Sequence, residues 1–143
     1  MSVKLKRFPE LSFRWVLYSG AVTKQDLDYV TASVYGADSA GITPERLSLL
    51  DLSAVTSVEI DFNALLGTAT RARWKTLALD QPMRVAILSS GDESYGMARV
   101  YHALLEGTVE AESQILESHE AAMKWLDLPE NPIDLQQHAC IEA

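Results

Sequence analysis

The stretch Leu47 to Gly67, LSLLDLSAVTSVEIDFNALLG, begins with the composition of a strand and ends with that of a helix. Its first part is a nearly unbroken apolar run, which is typical of a strand in the middle of a parallel or mixed sheet. Its second part predicts an amphipathic helix with an apolar stripe of Phe62, Leu65, Leu66, Ala69 and Ala72. Between the two we expect a turn over Ser53–Asp61, rich in hydroxyls and carboxylates.

The residues before this stretch predict two strands and a helix. FRWVLYSG mixes β-branched and aromatic residues, so we expect a strand with one mostly apolar face. VKLKRF predicts a short partner strand, joined to it through a turn at Pro9 and Glu10. In TKQDLDYVTASVYG, Thr23 and Asp26 have the spacing of a capping box. The stripe that follows, Leu27, Val30 and Val34, is helical.

The residues after it continue the alternation of strands and helices. MRVAILSS predicts a buried strand, and ESQILES predicts the last one. The helix between them has an apolar stripe and closes at Gly107; the stripe is Tyr95, Ala98, Tyr101, Leu104 and Leu105. A short helix over Glu120–Leu128 follows, with Ser118 as its N-cap.

This order predicts a single α/β domain with a mixed sheet of about four to five strands and about four helices. We expect its core to cover residues 11–128. The tail, residues 129–143, shows no clear period.

The size and charge of the chain restrict its class. It has 143 residues, 48% of them apolar, which suits one domain, and a net charge of −8. From Tyr101 onward the sequence contains nine acidic residues and one basic residue, Lys124. We therefore expect no binding to nucleic acid or anionic membranes. No apolar run approaches the ~20 residues of a membrane span, and the N-terminus lacks the apolar core of a signal peptide. These features predict a cytoplasmic protein.

The sequence predicts no catalytic residue, metal site or cofactor. The histidines, His102, His119 and His138, are scattered and have no cysteine cluster beside them. No motif of a serine hydrolase or a phosphate-binding loop occurs. The single Cys140 excludes an internal disulfide and is expected to be a free thiol.

Several motifs resemble the SpoIIAA-like group, whose domains are described as STAS/SEC14-type. They occur in the group's order over about residues 11–128: SGAVTKQDLDYV, LLDLSAVTSVEIDFNALLG, MRVAILSS, YGMARVYHALLE and EAAMKWL. The resemblance implies the α/β fold predicted above. It also implies a non-enzymatic regulatory protein like the anti-sigma-factor antagonists, in which a serine at the start of the second helix is phosphorylated by a partner kinase.

Carried over without gaps, the phosphorylated position of this group falls on Asp61, with Glu59 before it and Phe62 after it. A carboxylate cannot accept a stable phosphoryl group from a serine kinase. Asp61 therefore mimics the phosphorylated serine, or the switch is absent. A shift of a few residues would instead put Thr56 or Ser57 at this position.

Two interpretations of the strand-to-helix turn stay open. In the first, Glu59 or Asp61 caps the second helix. In the second, the turn and a flanking tryptophan bind a partner; the candidate residues are Ser53, Thr56, Ser57, Glu59, Asp61 and Trp74. Trp74 can equally close the edge of the core. A weaker candidate is an anion site at Ser90, Gly91 and Arg99, which the neighbouring carboxylates Asp92 and Glu93 oppose.

The expected function is therefore a binding or regulatory module that recognises a protein partner or pairs with itself as a dimer. The alternative is a carrier of a small apolar ligand or lipid, which the SEC14 half of the family label suggests. A carrier needs a pocket of about a few hundred Å³. An enzyme is the third alternative and needs a deep cleft with several polar groups.

Overall fold

A computed structural model of the chain describes residues 3–35, 45–76, 83–108, 111–129 and 140–142. Strands and helices follow one another in the order β1 (Val3–Phe8), β2 (Phe13–Thr23), α1 (Lys24–Tyr35), β3 (Leu47–Glu59), α2 (Phe62–Thr76), β4 (Met83–Leu88), α3 (Asp92–Thr108), β5 (Ala111–Leu116), α4 (His119–Trp125) and β6 (Ile141–Glu142). A short 3-10 helix, Pro9–Leu11, joins β1 to β2. The predicted α/β architecture with four helices and a mixed sheet is confirmed.

The strands form one sheet in the order β5-β4-β3-β2-β1-β6. Neighbours from β2 to β5 are parallel, whereas β1 is antiparallel to β2 and to β6. The predicted pairing of VKLKRF with the next strand is therefore confirmed. The last strand has two residues and belongs to the tail, where no strand was predicted, and residues 130–139 of that tail lie outside the described part.

Each face of the sheet carries its own apolar cluster, because side chains alternate along a strand. On β4, Val85 and Ile87 pack under α1, α2 and α3, in a cluster that we call the three-helix core. The residues between and after them, Ala86 and Leu88, pack under α4 together with Phe13, in a cluster that we call the α4 core. The chain thus runs to one face of the sheet after β2, β3 and β4, and to the other face after β5.

Two helix starts have the hydrogen bonds that their sequences predict. In the first turn of α1, the carboxylate of Asp26 accepts the backbone N–H of Thr23, the residue before the helix, at 2.9 Å. This bond is one half of a capping box. Ahead of α4, the hydroxyl of Ser118 accepts the backbone N–H of Ala121 at 3.1 Å. These local bonds fix where each helix begins and how the preceding strand enters it.

The predicted apolar face of β2, with Phe13 and Trp15, packs in the α4 core, and the opposite face is buried as well. Arg14, on the three-helix side, is only 5% exposed. Its guanidinium lies 3.4 Å from the carboxylate of Glu45, which also binds Arg7 of β1. Because a buried charge needs an opposite one, this cluster explains how a core strand accommodates an arginine.

Two aromatic residues that were predicted in apolar stripes are exposed instead. Phe62 and Tyr95 are 56% and 49% exposed, whereas Leu65 and Ala98, one turn further along each helix, are buried. Each aromatic lies in the first turn of its helix, beyond the part that packs on the sheet. The helix boundaries also differ slightly, since α3 continues through Thr108 and α4 ends at Trp125.

Candidate functional site

The predicted turn over Ser53–Asp61 is mostly strand. β3 continues to Glu59, so Ser53, Thr56, Ser57 and Glu59 lie on the strand with exposed side chains. The prediction of a turn here is wrong because the outer half of β3 pairs with β2, from Ala54 opposite Ser19 to Glu59 opposite Thr23. We call this exposed half of β3, together with Asp61 and Phe62, the outer edge.

The outer half of β3 has β2 as its strand neighbour, since β4 ends opposite Asp51. Its pairing is irregular, with register shifts between Leu17 and Ser19 and between Gly20 and Ala21. Gly20 has a φ of 67°, a left-handed conformation that favours glycine and permits such an irregularity. Polar side chains are tolerated here because they are exposed among the described residues.

Asp51 anchors the point where β3 becomes irregular. Its carboxylate is buried and accepts the indole N–H of Trp15 at 3.0 Å. The other carboxylate oxygen accepts the backbone N–H of Ser53, also at 3.0 Å, and the Ser53 hydroxyl. The Trp15 ring in turn lies 4.8 Å from the ring of His119, at the start of α4. Ser53 is thus exposed but held in place by a residue two positions before it. The contacts of Trp15 with Asp51 and His119 join residues far apart in the chain, so the sequence gave no signal for them.

Asp61 caps α2, as one interpretation of the sequence predicted. Its Oδ1 accepts the backbone N–H of Ala64 at 2.8 Å. The capping carboxylate is exposed, and so are Glu59 and Phe62 on either side of it. An exposed phenylalanine therefore follows two acidic residues at the junction of a strand and a capped helix. Of the predicted partner residues, Ser53, Thr56, Ser57 and Glu59 lie along β3 and Asp61 lies at the start of α2, all with exposed side chains.

The position of Trp74 relative to this surface is outside what the structure describes. Its backbone belongs to α2, three turns after the cap at Asp61, but its side chain lies outside the described part, as do those of Arg71 and Lys75. The prediction that Trp74 anchors an interface stays a prediction.

Ser90 and Gly91 of the weaker candidate site line an open cleft of about 540 Å³ at the carboxyl ends of β4 and β5. Arg99 is not among its described lining residues, and its guanidinium carbon lies 5.9 Å from the centre of the Tyr95 ring. The cleft is lined instead by the carboxylates Asp92 and Glu117. An anion would therefore meet two negative groups without the predicted arginine.

The three-helix core contains a small internal cavity of about 40 Å³. Its described lining is largely apolar but includes Arg14, Tyr18 and Ser48. The Ser48 hydroxyl has no hydrogen-bond partner among the described residues. Burial raises the pKa of Tyr18 well above its usual value, and the nearby Tyr101 and Asp26 raise it further. This cavity can hold ordered water, which needs ~10–15 Å³ per molecule, but is much smaller than a lipid.

The described residues offer no group of three or more potential metal ligands. Cys140 is exposed and forms no disulfide. Within the same residues, no helix combines the length and the apolar character needed to cross a membrane. No protein-family model, no curated protein and no solved structure matches the chain in comparisons with known proteins.

Proposed function

We propose that this chain is a cytoplasmic, non-enzymatic regulatory module of SpoIIAA-like type that recognises a protein partner through its outer edge. The motif order in the sequence and the order of strands and helices support this proposal. The surface consists of the exposed side chains of β3 beyond Asp51 and the first residues of α2.

The exposure of Phe62 is the observation on which the proposal depends. Phe62 is 56% exposed, although the next apolar residue on the same face of its helix, Leu65, is buried. Large aromatic side chains are frequent at the centres of protein interfaces, where covering them contributes much of the binding free energy. Phe62 is therefore the proposed central contact, with Glu59 and Asp61 at its rim.

The backbone at this surface is held in position before any partner binds. Ser53 is bonded to the buried Asp51, and α2 starts at a cap made by Asp61. A surface that is already ordered loses little conformational entropy on association, which favours binding. An ordered backbone of this kind suits a recognition site better than the backbone of a long loop, which would lose more conformational entropy on binding.

The charge of the outer edge favours a different protein as partner over a second copy of this chain. A symmetric dimer places the same patch of each copy against the other, so Glu59 and Asp61 would face carboxylates across the interface. The chain also carries a net charge of −8, which opposes self-association. We therefore propose a partner with an apolar pocket for Phe62 and basic groups around it.

Site-specific photocrosslinking tests the proposal. A photoreactive phenylalanine analogue replaces Phe62 in the cell, and a matched control carries it at Ala103, an exposed position on α3. We expect one discrete protein adduct at position 62 and none at position 103. The charge reversal Glu59→Lys is expected to weaken that adduct.

The oligomeric state of the purified chain completes this test. A dimer that Phe62→Ser dissociates would identify a second copy as the partner. If position 62 forms no adduct beyond the control, and Phe62→Ser leaves the sedimentation of the chain unchanged, the outer edge is not a recognition surface.

A further inference from the structure

We propose that the cleft between the carboxyl ends of β4 and β5 binds an alkylammonium or guanidinium group. The topology of the sheet places a crevice at this point. After β4 the chain continues into α3 on the three-helix face, and after β5 it continues into α4 on the opposite face. Ligands of open α/β sheets bind where two adjacent strands diverge to opposite faces in this way.

The cleft has the size and the walls of a site for a small group. Its volume of about 540 Å³ lies within the range of ligand pockets, about 300–1,000 Å³. The loop after β4 supplies Ser90 and Gly91, and β5 supplies Ile115. The two strand ends are joined below it, since the backbone N–H of Ser89 donates to the carbonyl of Leu116 at 3.0 Å.

The charge of the cleft selects a cation. Asp92 and Glu117 line it, both are exposed, and neither forms an ion pair with a described residue. The positive end of α3 contributes only about half a unit charge, which two full negative charges outweigh. A cationic ligand would give both carboxylates the partner that the described part of the chain does not supply.

Tyr95 supplies an aromatic wall for the same cation. Its ring lines the cleft and is exposed to solvent. Cations are attracted to the faces of aromatic rings within about 6 Å of the ring centre. The guanidinium of Arg99 is already at the outer limit of that distance, at 5.9 Å, but Arg99 is not among the described residues of the cleft. An aromatic face with two carboxylates matches a single ammonium or guanidinium group.

This inference goes beyond the proposed function and does not depend on it. The cation can come from a small-molecule amine or from a lysine or arginine side chain of a protein, since both present the same chemical group. The variant Phe62→Ser separates the two proposals, because it removes the central contact of the outer edge and leaves the cleft intact.

Titration of the full chain, followed by backbone amide NMR, tests the cleft. The probes are butylamine at neutral pH, agmatine, an acetylated and amidated Gly-Lys-Gly peptide, and butanol as a neutral control of similar shape. We expect saturable shifts at Gly91, Ile115 and Glu117 with the three cations and not with butanol. Added salt should weaken the binding, because the attraction is between exposed charges.

The double variant Asp92→Asn/Glu117→Gln is expected to weaken butylamine binding about tenfold or more, whereas Tyr95→Phe retains it and Tyr95→Ala weakens it. The matched control, Glu106→Gln/Glu112→Gln, changes the net charge equally at the opposite ends of α3 and β5 and should bind as the wild type does. Phe62→Ser should also bind normally.

The affinities identify the source of the cation. Tighter binding of the lysine peptide than of butylamine indicates a protein side chain, and equal or weaker binding indicates a small amine; either result supports the site. The proposal is overturned if no cation gives saturable shifts, if butanol acts like butylamine, or if the Asp92/Glu117 variant binds as well as the wild type.

Discussion

The carboxylate of Asp61 stabilises α2, whether or not it also contacts a partner. It accepts the backbone N–H of Ala64, one of the donors that a helix start leaves without an intrahelical acceptor. Asp61→Ala is therefore expected to lower the free energy of unfolding by about 1 kcal/mol, while Asp61→Asn changes it by less because asparagine also caps helices. Denaturant unfolding of the three proteins measures both effects. Equal stability of wild type and Asp61→Ala would mean that the cap contributes nothing.

Tyr18 makes the free energy of unfolding fall with rising pH in the alkaline range. Its pKa is raised by burial first, and then by Tyr101 and Asp26, so the folded chain holds the phenolic proton more tightly than the unfolded chain does. Its contribution is fully present below the unfolded pKa of about 10 and is lost as the pH rises above it, by up to about 1.4 kcal/mol per pH unit.

Tyr18→Phe should make this alkaline decline shallower, because phenylalanine has no proton to lose. Denaturant unfolding between neutral and alkaline pH measures the slope. Tyr95→Phe, at an exposed ring, serves as the control and should keep the decline of the wild type. The interpretation is wrong if Tyr18→Phe and the wild type lose stability in parallel.

At the scale of elements, Glu45, just before β3, binds an arginine from each of two other strands. One of these arginines also contacts the C-terminal part of α1. Its carboxylate binds Arg7 of β1 and Arg14 of β2, and its carbonyl accepts from Arg14 at 3.2 Å. Arg7 also donates to the carbonyl of Ser33 on α1 at 3.3 Å. The cluster therefore fixes the position at which the chain returns to the sheet after α1.

Removing this buried charge leaves two guanidinium groups without their shared partner. Glu45→Gln is expected to lower the free energy of unfolding by about 3 kcal/mol. The matched control is Glu112→Gln, which breaks an exposed pair with Arg84 and should cost less than about 1 kcal/mol. Denaturant midpoints of both variants measure the difference. Similar costs for the two variants would show that the Glu45 cluster adds no more than a surface pair.

The elements themselves follow from local patterns in the sequence, and the missed features are non-local. Leu27 and Val34 mark α1, and Ser118 marks the start of α4, because spacing and caps act within a few residues. The outer half of β3 was predicted as a turn because its strand pairing with Ser19–Thr23 lies about 35 residues away. Only the β-branched residues Val55, Thr56 and Val58 indicated a strand there.

The buried position of Arg14 could not be predicted for the same reason. An arginine in a strand is expected at the surface, and the carboxylate that allows its burial, Glu45, is 31 residues away in the sequence. Phe62 shows the opposite case, since its helical spacing predicts burial but the helix begins beyond the core. Periodicity predicts which face of a helix is apolar, but not how far along the helix the core extends.

At the scale of the whole molecule, an exposed aromatic residue and acidic residues follow both β3 and β4 in the chain. Phe62 is next to Glu59 and Asp61, and Tyr95 lines a cleft with Asp92 and Glu117. The sequence predicted Glu59 and Asp61 on one surface because they are close in the chain, but it placed Phe62 in the apolar stripe of α2. The cleft was missed as a unit, since β4, α3 and β5 supply its residues and only the sheet order brings them together.

The size of the internal cavity argues against the molecule being a carrier of lipid. The cavity in the three-helix core is about 40 Å³, whereas drug-sized ligands occupy pockets of about 300 Å³ or more. Most of the apolar side chains around it are in contact with one another, so a larger space would require separating α1–α3 from the sheet. We therefore expect the chain purified from cells to carry no lipid.

Native mass spectrometry, followed by extraction into organic solvent, measures this directly. The expected mass is that of the polypeptide, alone or with a protein partner, and the extract should contain no stoichiometric lipid. A stoichiometric acyl-chain adduct that survives purification would contradict the expectation. Because the side chains around the cavity would have to separate to admit such a ligand, amide exchange of α1 and α3 in that adduct would then show which helix had moved.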